Sequence, residues 1–390
     1  LIPSKKNISV QNFNFLTSSN NYFSVSLHYP TVTIYQILLH LNKNSTNLNK
    51  KNSYPAIQLL LFSILLIAVS LPRFNRTDHG FSNLTGGSND RFIADDGAVY
   101  EHLSDARCYL ELVKYFRNYD HASRNLLTPP FCYRPLPSLI ASIFPFNEMT
   151  SLNILNILFL IGALLIIERI LSKLDISNKS KYSALFLFVV SFPTFYYGTI
   201  GYIDPAFIFF LSLGFYFFLQ ERSIPLVITV LIGTFAKEGI AILLPVVLIR
   251  LIEKKFERKT LITIISCFIA FVAATVAVRT LFNSGDQYVW VPNREYILYN
   301  LGRLRTPFSI SVTFGIPGIL ALLYLVESFK NNYFKQLPYF WYFTTGFVFS
   351  ILFCLFGVVS VSSDGRYVWP VYIFTIPLSA LFLDKHFFKK

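Results

Sequence analysis

The sequence predicts an all-α fold, a polytopic bundle of about ten membrane-spanning helices. Three observations predict it. Only 14% of the 390 residues are charged and 53% are hydrophobic, whereas a soluble domain carries about 25% charged residues. Apolar runs recur along the chain, several near the ~20 helical residues that cross a hydrocarbon core. The basic residues collect in short connections such as ERILSKLDISNKSK, RLIEKKFERK and the terminal DKHFFKK. That pattern orients membrane proteins, with Lys and Arg kept in the cytoplasm. It accounts for the net charge of +13 without nucleic acid, for which no motif is visible.

Residues 1–54 are rich in Asn, Ser and Lys, and read as a disordered tail or as sequence upstream of the true start. No secretory signal opens the chain. The first span, PAIQLLLFSILLIAVSLP from Pro55 to Pro72, then acts as a signal anchor. A long polar segment follows over 73–150. The remaining spans are expected at 151–168, 182–199, 203–219, 223–236, 239–252, 260–281, 307–327, 338–360 and 367–384. The bundle therefore occupies 55–384, with a basic cytoplasmic tail at 385–390. The spans 223–236 and 239–252 are short, and a single broken or re-entrant element is the alternative for them.

With the N-terminus inside, five segments share the outer face. They are the 73–150 loop, the Gly201–Asp204 turn, Lys237–Glu238, the 282–306 loop and SSDGRY at 362–367. Most of the acidic residues fall there. In the first loop, Val99, Leu103, Ala106, Leu110 and Val113 recur at helical spacing and predict an amphipathic helix over 97–117. A second surface helix is expected over 134–146, short and punctuated by prolines. Cys108 and Cys132 share this loop and are placed to form a disulfide if it faces an oxidising compartment.

Candidate chemistry concentrates on the same face. Asp95 and Asp96, in IADDGAVY, stand ahead of the expected helix. One of them suffices as a helix cap; a pair also suits proton abstraction from a hydroxyl, or a metal. Lys237 lies between two apolar half-spans, as a membrane-edge ion pair with Glu238 or as a phosphate anchor. Arg366 opens the last span on the outer side, against the positive-inside bias. It either snorkels beside aromatics or forks onto a lipid phosphate. Asp204, before Pro205, is an N-cap or a site residue. Arg294, Arg303 and Arg305 form a basic cluster, solvated or in contact with phosphate. His79, His102 and His121 match no metal spacing. Asn75 and Asn83 open glycosylation sequons.

Together these stretches resemble the GT-C glycosyltransferases, in their bacterial, PMT-like form that uses polyprenyl-phosphate-linked sugars. The resemblance rests on four short motifs in order. They are Asp96-Gly97-Ala98-Val99-Tyr100, Tyr133-Arg134-Pro135-Leu136-Pro137-Ser138, the Lys237–Glu238 turn, and Arg366-Tyr367-Val368-Trp369-Pro370. It implies an integral protein of a bacterial inner membrane with its site on the extracytoplasmic side. Asp95 or Asp96 would deprotonate the acceptor, and Lys237, Arg366, Arg303 and Arg305 would hold the donor phosphate. Glu238, Tyr100, Arg134, Asp204 and Tyr367 would support them. The implied partners are a polyprenyl-phosphate sugar, an extracytoplasmic acceptor and the membrane. No cofactor is required, and a divalent metal is the lesser alternative. Two other classes compete: a transporter or flippase of a lipid-linked or small anionic substrate, and a glycan polymerase. The transferase reading requires Asp95 or Asp96 to share one cavity with Lys237 and Arg366.

Overall fold

The computed structural model describes residues 54–76, 91–101, 104–118, 127, 129–282, 291–332, 339–361 and 363–388. The expected tail lies outside the described residues except for Tyr54, as do His79, His102, His121 and the sequon at Asn83. The chain is an integral membrane protein, all-α among the described residues apart from one small hairpin. Among the described residues, six segments are long and apolar enough to cross a membrane. They are Ala56–Arg73, Glu148–Leu171, Arg258–Leu281, Arg305–Lys330, Phe340–Ser360 and Gly365–Phe388.

The first is α1 (Tyr54–Ser70). After it come the strands β1 (Arg91–Ile93) and β2 (Val99–Glu101), then α2 (Ser104–Asn118), α3 (Pro135–Ala141) and α4 (Glu148–Leu171). Next are α5 (Asn178–Val189), α6 (Phe192–Tyr197), α7 (Asp204–Leu219), α8 (Ser223–Ala236) and α9 (Leu243–Glu253). The chain ends with α10 (Arg258–Leu281), α11 (Arg294–Gly302), α12 (Arg305–Lys330), α13 (Phe340–Ser360) and α14 (Tyr372–Leu383).

Among the described residues, six of the ten expected spans are long enough to cross. The other four expected spans are α5, α7, α8 and α9, of 12, 16, 14 and 11 residues. The expected span 182–199 is cut between α5 and α6, where Pro193 sits in the first turn of α6 and forces a fresh start. The span expected at 239–252 begins as a 3-10 turn over Glu238–Ile242 and becomes α-helical only in α9.

The first loop also departs from expectation. Residues 97–101 are not helical, because Asp95-Asp96-Gly97 turn the chain between β1 and β2. Gly97 takes φ +82°, a conformation that costs other residues more than glycine. Phe92 then pairs with Tyr100 across the hairpin. Alternating apolar residues around Asp-Gly are a hairpin signal, and here that signal outweighs the helical spacing. The helix starts at Ser104 and buries Ala106, Leu110 and Val113 as the spacing requires, while Val99 is exposed. Cys132 is a free, buried thiol, so the disulfide with Cys108 that an oxidising compartment would allow is not present.

The core sits around α14. In the most apolar 18-residue stretch of Gly365–Phe388, 83% of the residues are buried, against 11% in Ala56–Arg73. Trp369, Tyr372 and Phe374 are fully enclosed. The peripheral spans turn apolar side chains outward, among them Ile57, Leu60, Phe268 and Ile269. Such a surface suits lipid as its solvent.

Candidate functional site

The site is built where α2, α3, α7, α8 and the start of the last span meet. Asp105 lies in the first turn of α2 and Tyr109 one turn further along the same face. Arg134 immediately precedes α3, whose start is set by Pro135. Its Nη1 donates to the Tyr109 hydroxyl at 2.9 Å, and its Nε donates to Glu238 Oε2 at 2.8 Å. A second bond from Nη2 to Glu238 Oε1 makes the pair bidentate.

Asp204 opens α7 after a turn that two asparagines of α4 hold. Asn153 accepts from the Gly201 N–H at 2.9 Å, and the Asn156 amide donates to the Tyr202 carbonyl at 2.6 Å. Asp204 meets the Lys237 ammonium at 2.5 Å, with both side chains almost wholly buried. Lys237 is extended, capping α8 before the 3-10 turn. The ammonium also faces the rings of Phe207 and Tyr367 at 5.4 and 5.6 Å. Burial holds it below the ordinary lysine value of 10.5, with Asp204 opposing and Arg134 and Arg366 adding to the drop.

Arg366 is set by the turn Gly365–Tyr367. Asp364 caps that turn, accepting from the Arg366 N–H at 3.0 Å. Gly365 is packed against Ser309 and Thr313 of α12 so closely that a Cβ there would collide with both. The guanidinium pairs with Asp105, stands 4.5 Å over the Tyr202 ring, and lies 3.4 Å from Asp364.

A cavity of about 220 Å³ opens among these groups. Arg134, Lys237 and Arg366 line it with Asp105 and Asp204, so three cations face two carboxylates. Tyr109, Tyr296, Tyr367 and Phe131 supply aromatic walls.

Of the residues singled out from sequence, Lys237, Arg366, Arg134, Asp204 and Tyr367 come together here, and Glu238 braces Arg134. Asp95 and Asp96 are not among the lining residues, so the requirement that one of them share this cavity with Lys237 and Arg366 is not met; the first loop reaches the cavity through Asp105 instead. Asp95 pairs with Lys114 at 3.3 Å, and its N–H donates to Glu148. Asp96 accepts from the Ala98 N–H at 3.0 Å and the Asn147 amide at 2.9 Å. Those two bonds, the backbone one first, hold its carboxyl below the ordinary 3.8. The pair therefore fastens the hairpin to α2 and to the start of α4. Tyr100 packs in that hairpin beside Phe92. Arg303 stacks on Tyr299 at 3.8 Å, and Arg305 opens α12 within electrostatic reach of Asp364. Neither lines the cavity. Arg294 opens α11, and Asn75 is engaged with Thr150 and Asn153.

Sequence reasoning missed Asp105, Tyr109, Tyr296, Asn153 and Asn156. A signal existed for two of them: asparagines three apart inside an apolar span are polar groups that need partners there. Among the described residues, no group of three or more His, Cys, Asp or Glu is placed to hold a metal. Comparison with protein-family models, curated proteins and solved structures finds no match to this chain. What stands is a polytopic membrane protein in which four buried charged residues, Arg134, Asp204, Lys237 and Arg366, line a polar cavity.

Proposed function

We propose that the protein is a membrane glycosyltransferase that moves a sugar from a polyprenyl-phosphate donor to an acceptor hydroxyl. The observation that carries this reading is the cavity itself, where Arg134, Lys237 and Arg366 converge beside Asp105. Three buried cations are suited to a phosphodiester whose charge grows as it leaves. The aromatic walls suit the apolar faces of a sugar ring.

Asp105 takes the role that the sequence suggested for Asp95 or Asp96. The incoming phosphate competes for Arg366 and releases Asp105 from its ion pair. The acceptor oxygen then attacks the anomeric carbon, and the bond from that carbon to the phosphate oxygen breaks. The hydroxyl proton passes to Asp105, and polyprenyl phosphate leaves with its electron pair, held by the three cations. The attack comes from the face opposite the leaving group and inverts the anomeric centre. No nucleotide is needed.

The reading is tested with membranes containing the full chain and radiolabelled donors. Label should pass from at least one polyprenyl-phosphate sugar to an acceptor, with polyprenyl phosphate released in equal amount. Transfer from sugar nucleotides, in membranes stripped of polyprenyl phosphate, would contradict the donor class.

A further inference from the structure

The opposite end of the bundle carries a second polar cavity that the transferase reading does not use. It holds about 50 Å³ and lies where α8 and α10 both begin. A cavity needs about 10–15 Å³ by such a measure to hold one water, so this one has room for a small polar group such as a phosphate.

Its walls are built for an anion. Arg222, Arg250, Lys254 and Lys259 face Glu221 and Glu257. Arg250 is only 8% exposed. Its Nη1 donates to the Phe218 carbonyl at 2.6 Å, and its guanidinium lies over the Phe218 ring at 3.9 Å. Its Nε is buried with no acceptor among the described residues, a costly state unless something fills the gap. Neither α8 nor α10 has a side-chain cap at its N-terminus. Two sets of open N–H groups and two positive helix ends thus meet here. Thr263 of α10 and Ser223 of α8 tie these ends together at 2.7 Å.

The cavity adjoins an open groove of about 760 Å³ that shares Arg222, Ser223 and Lys259, together with Glu221 and Glu257, and adds Ile224, Pro225 and Ile262. Ile224 and Ile262 are 74% and 54% exposed, and Ile228 and Ile265 extend the apolar track along α8 and α10. A polar pocket of phosphate size that opens onto an aliphatic track matches a lipid, with its head and tails at the corresponding places. We propose that this end of the bundle binds an anionic phospholipid, with its phosphate beneath Arg250 and its acyl chains along the groove between α8 and α10.

The test uses the full chain in detergent and native mass spectrometry. The probes are phosphatidic acid, diacylglycerol with the same chains, and inorganic phosphate. Phosphatidic acid should bind at least about tenfold more tightly than diacylglycerol, the least expected of a desolvated phosphate held by cations. Arg222→Ala/Lys259→Ala changes two exposed side chains and should weaken phosphatidic acid about twenty-fivefold, from two contacts of about fivefold each. Ile224→Glu, on the exposed track, should weaken phosphatidic acid and leave inorganic phosphate unchanged. Equal binding of phosphatidic acid and diacylglycerol would overturn the site, as would a double variant that binds like the wild type. Inorganic phosphate binding as tightly as phosphatidic acid would overturn the lipid assignment and leave a soluble anion. An unaffected Ile224→Glu would do the same.

Discussion

Lys237 and Asp204 form an ion pair whose side chains are 5% and 4% exposed. Taking two charges out of water costs several kcal/mol per ion, and a buried pair is therefore a weak source of stability. Its place beside a cavity with two more cations gives the ammonium another use, to hold an anion. Lys237→Met should cost about 3–5 kcal/mol, because Asp204 is left as an unpaired buried charge. Lys237→Met/Asp204→Leu should recover most of that stability and none of the transfer activity. Chemical denaturation in detergent, read beside transfer, checks both. The pH dependence has a defined sign. Only the protonated amine attracts phosphate, and burial holds its pKa below 10.5. Donor binding should therefore weaken as pH rises, beginning below 10.5, and binding unchanged up to that pH would contradict the role.

At the scale of elements, α4 sets the site without touching its cavity. Asn153 and Asn156 hold the turn 201–203 that aims Tyr202 under Arg366 and delivers Asp204 to Lys237. Asn153→Leu leaves the Gly201 N–H buried without its acceptor, at a cost of about 1–3 kcal/mol. A lowered melting temperature in detergent, with transfer falling further than the loss of folded protein explains, is the expected result. These elements were unequally legible. The apolar runs of α1, α4, α10, α12 and α13 could be read directly, since length and hydropathy alone define a span. The runs at 182–199 and 239–252 hid breaks, because apolarity does not say whether a helix is continuous. Asp95-Asp96-Gly97 read as a helix start, whereas the left-handed Gly97 makes it a hairpin turn. Only the strand pairing of Phe92 with Tyr100 decides between the two.

At the scale of the whole molecule, the bundle has two chemically distinct ends. One gathers Arg134, Lys237, Arg366, Asp105 and Asp204, and the other gathers Arg222, Arg250, Lys254 and Lys259. Basic residues in the short connections showed this division in the sequence, through the cost of moving Lys and Arg across a membrane. Which carboxylate faces the cavity was not readable. Asp105 and Arg366 are 261 residues apart, and only the packing of α2 against the last span brings them together. The most direct test of the account compares two variants of equal abundance in the same transfer assay. Asp105→Asn should lower the transfer rate about 10²–10⁴-fold, the usual contribution of a general base. Asp95→Asn/Asp96→Asn should keep most of the wild-type rate per folded molecule. The reverse, a silent Asp105→Asn beside an inactive double variant, would move the chemistry to the hairpin and contradict the assignment of the cavity as the active site.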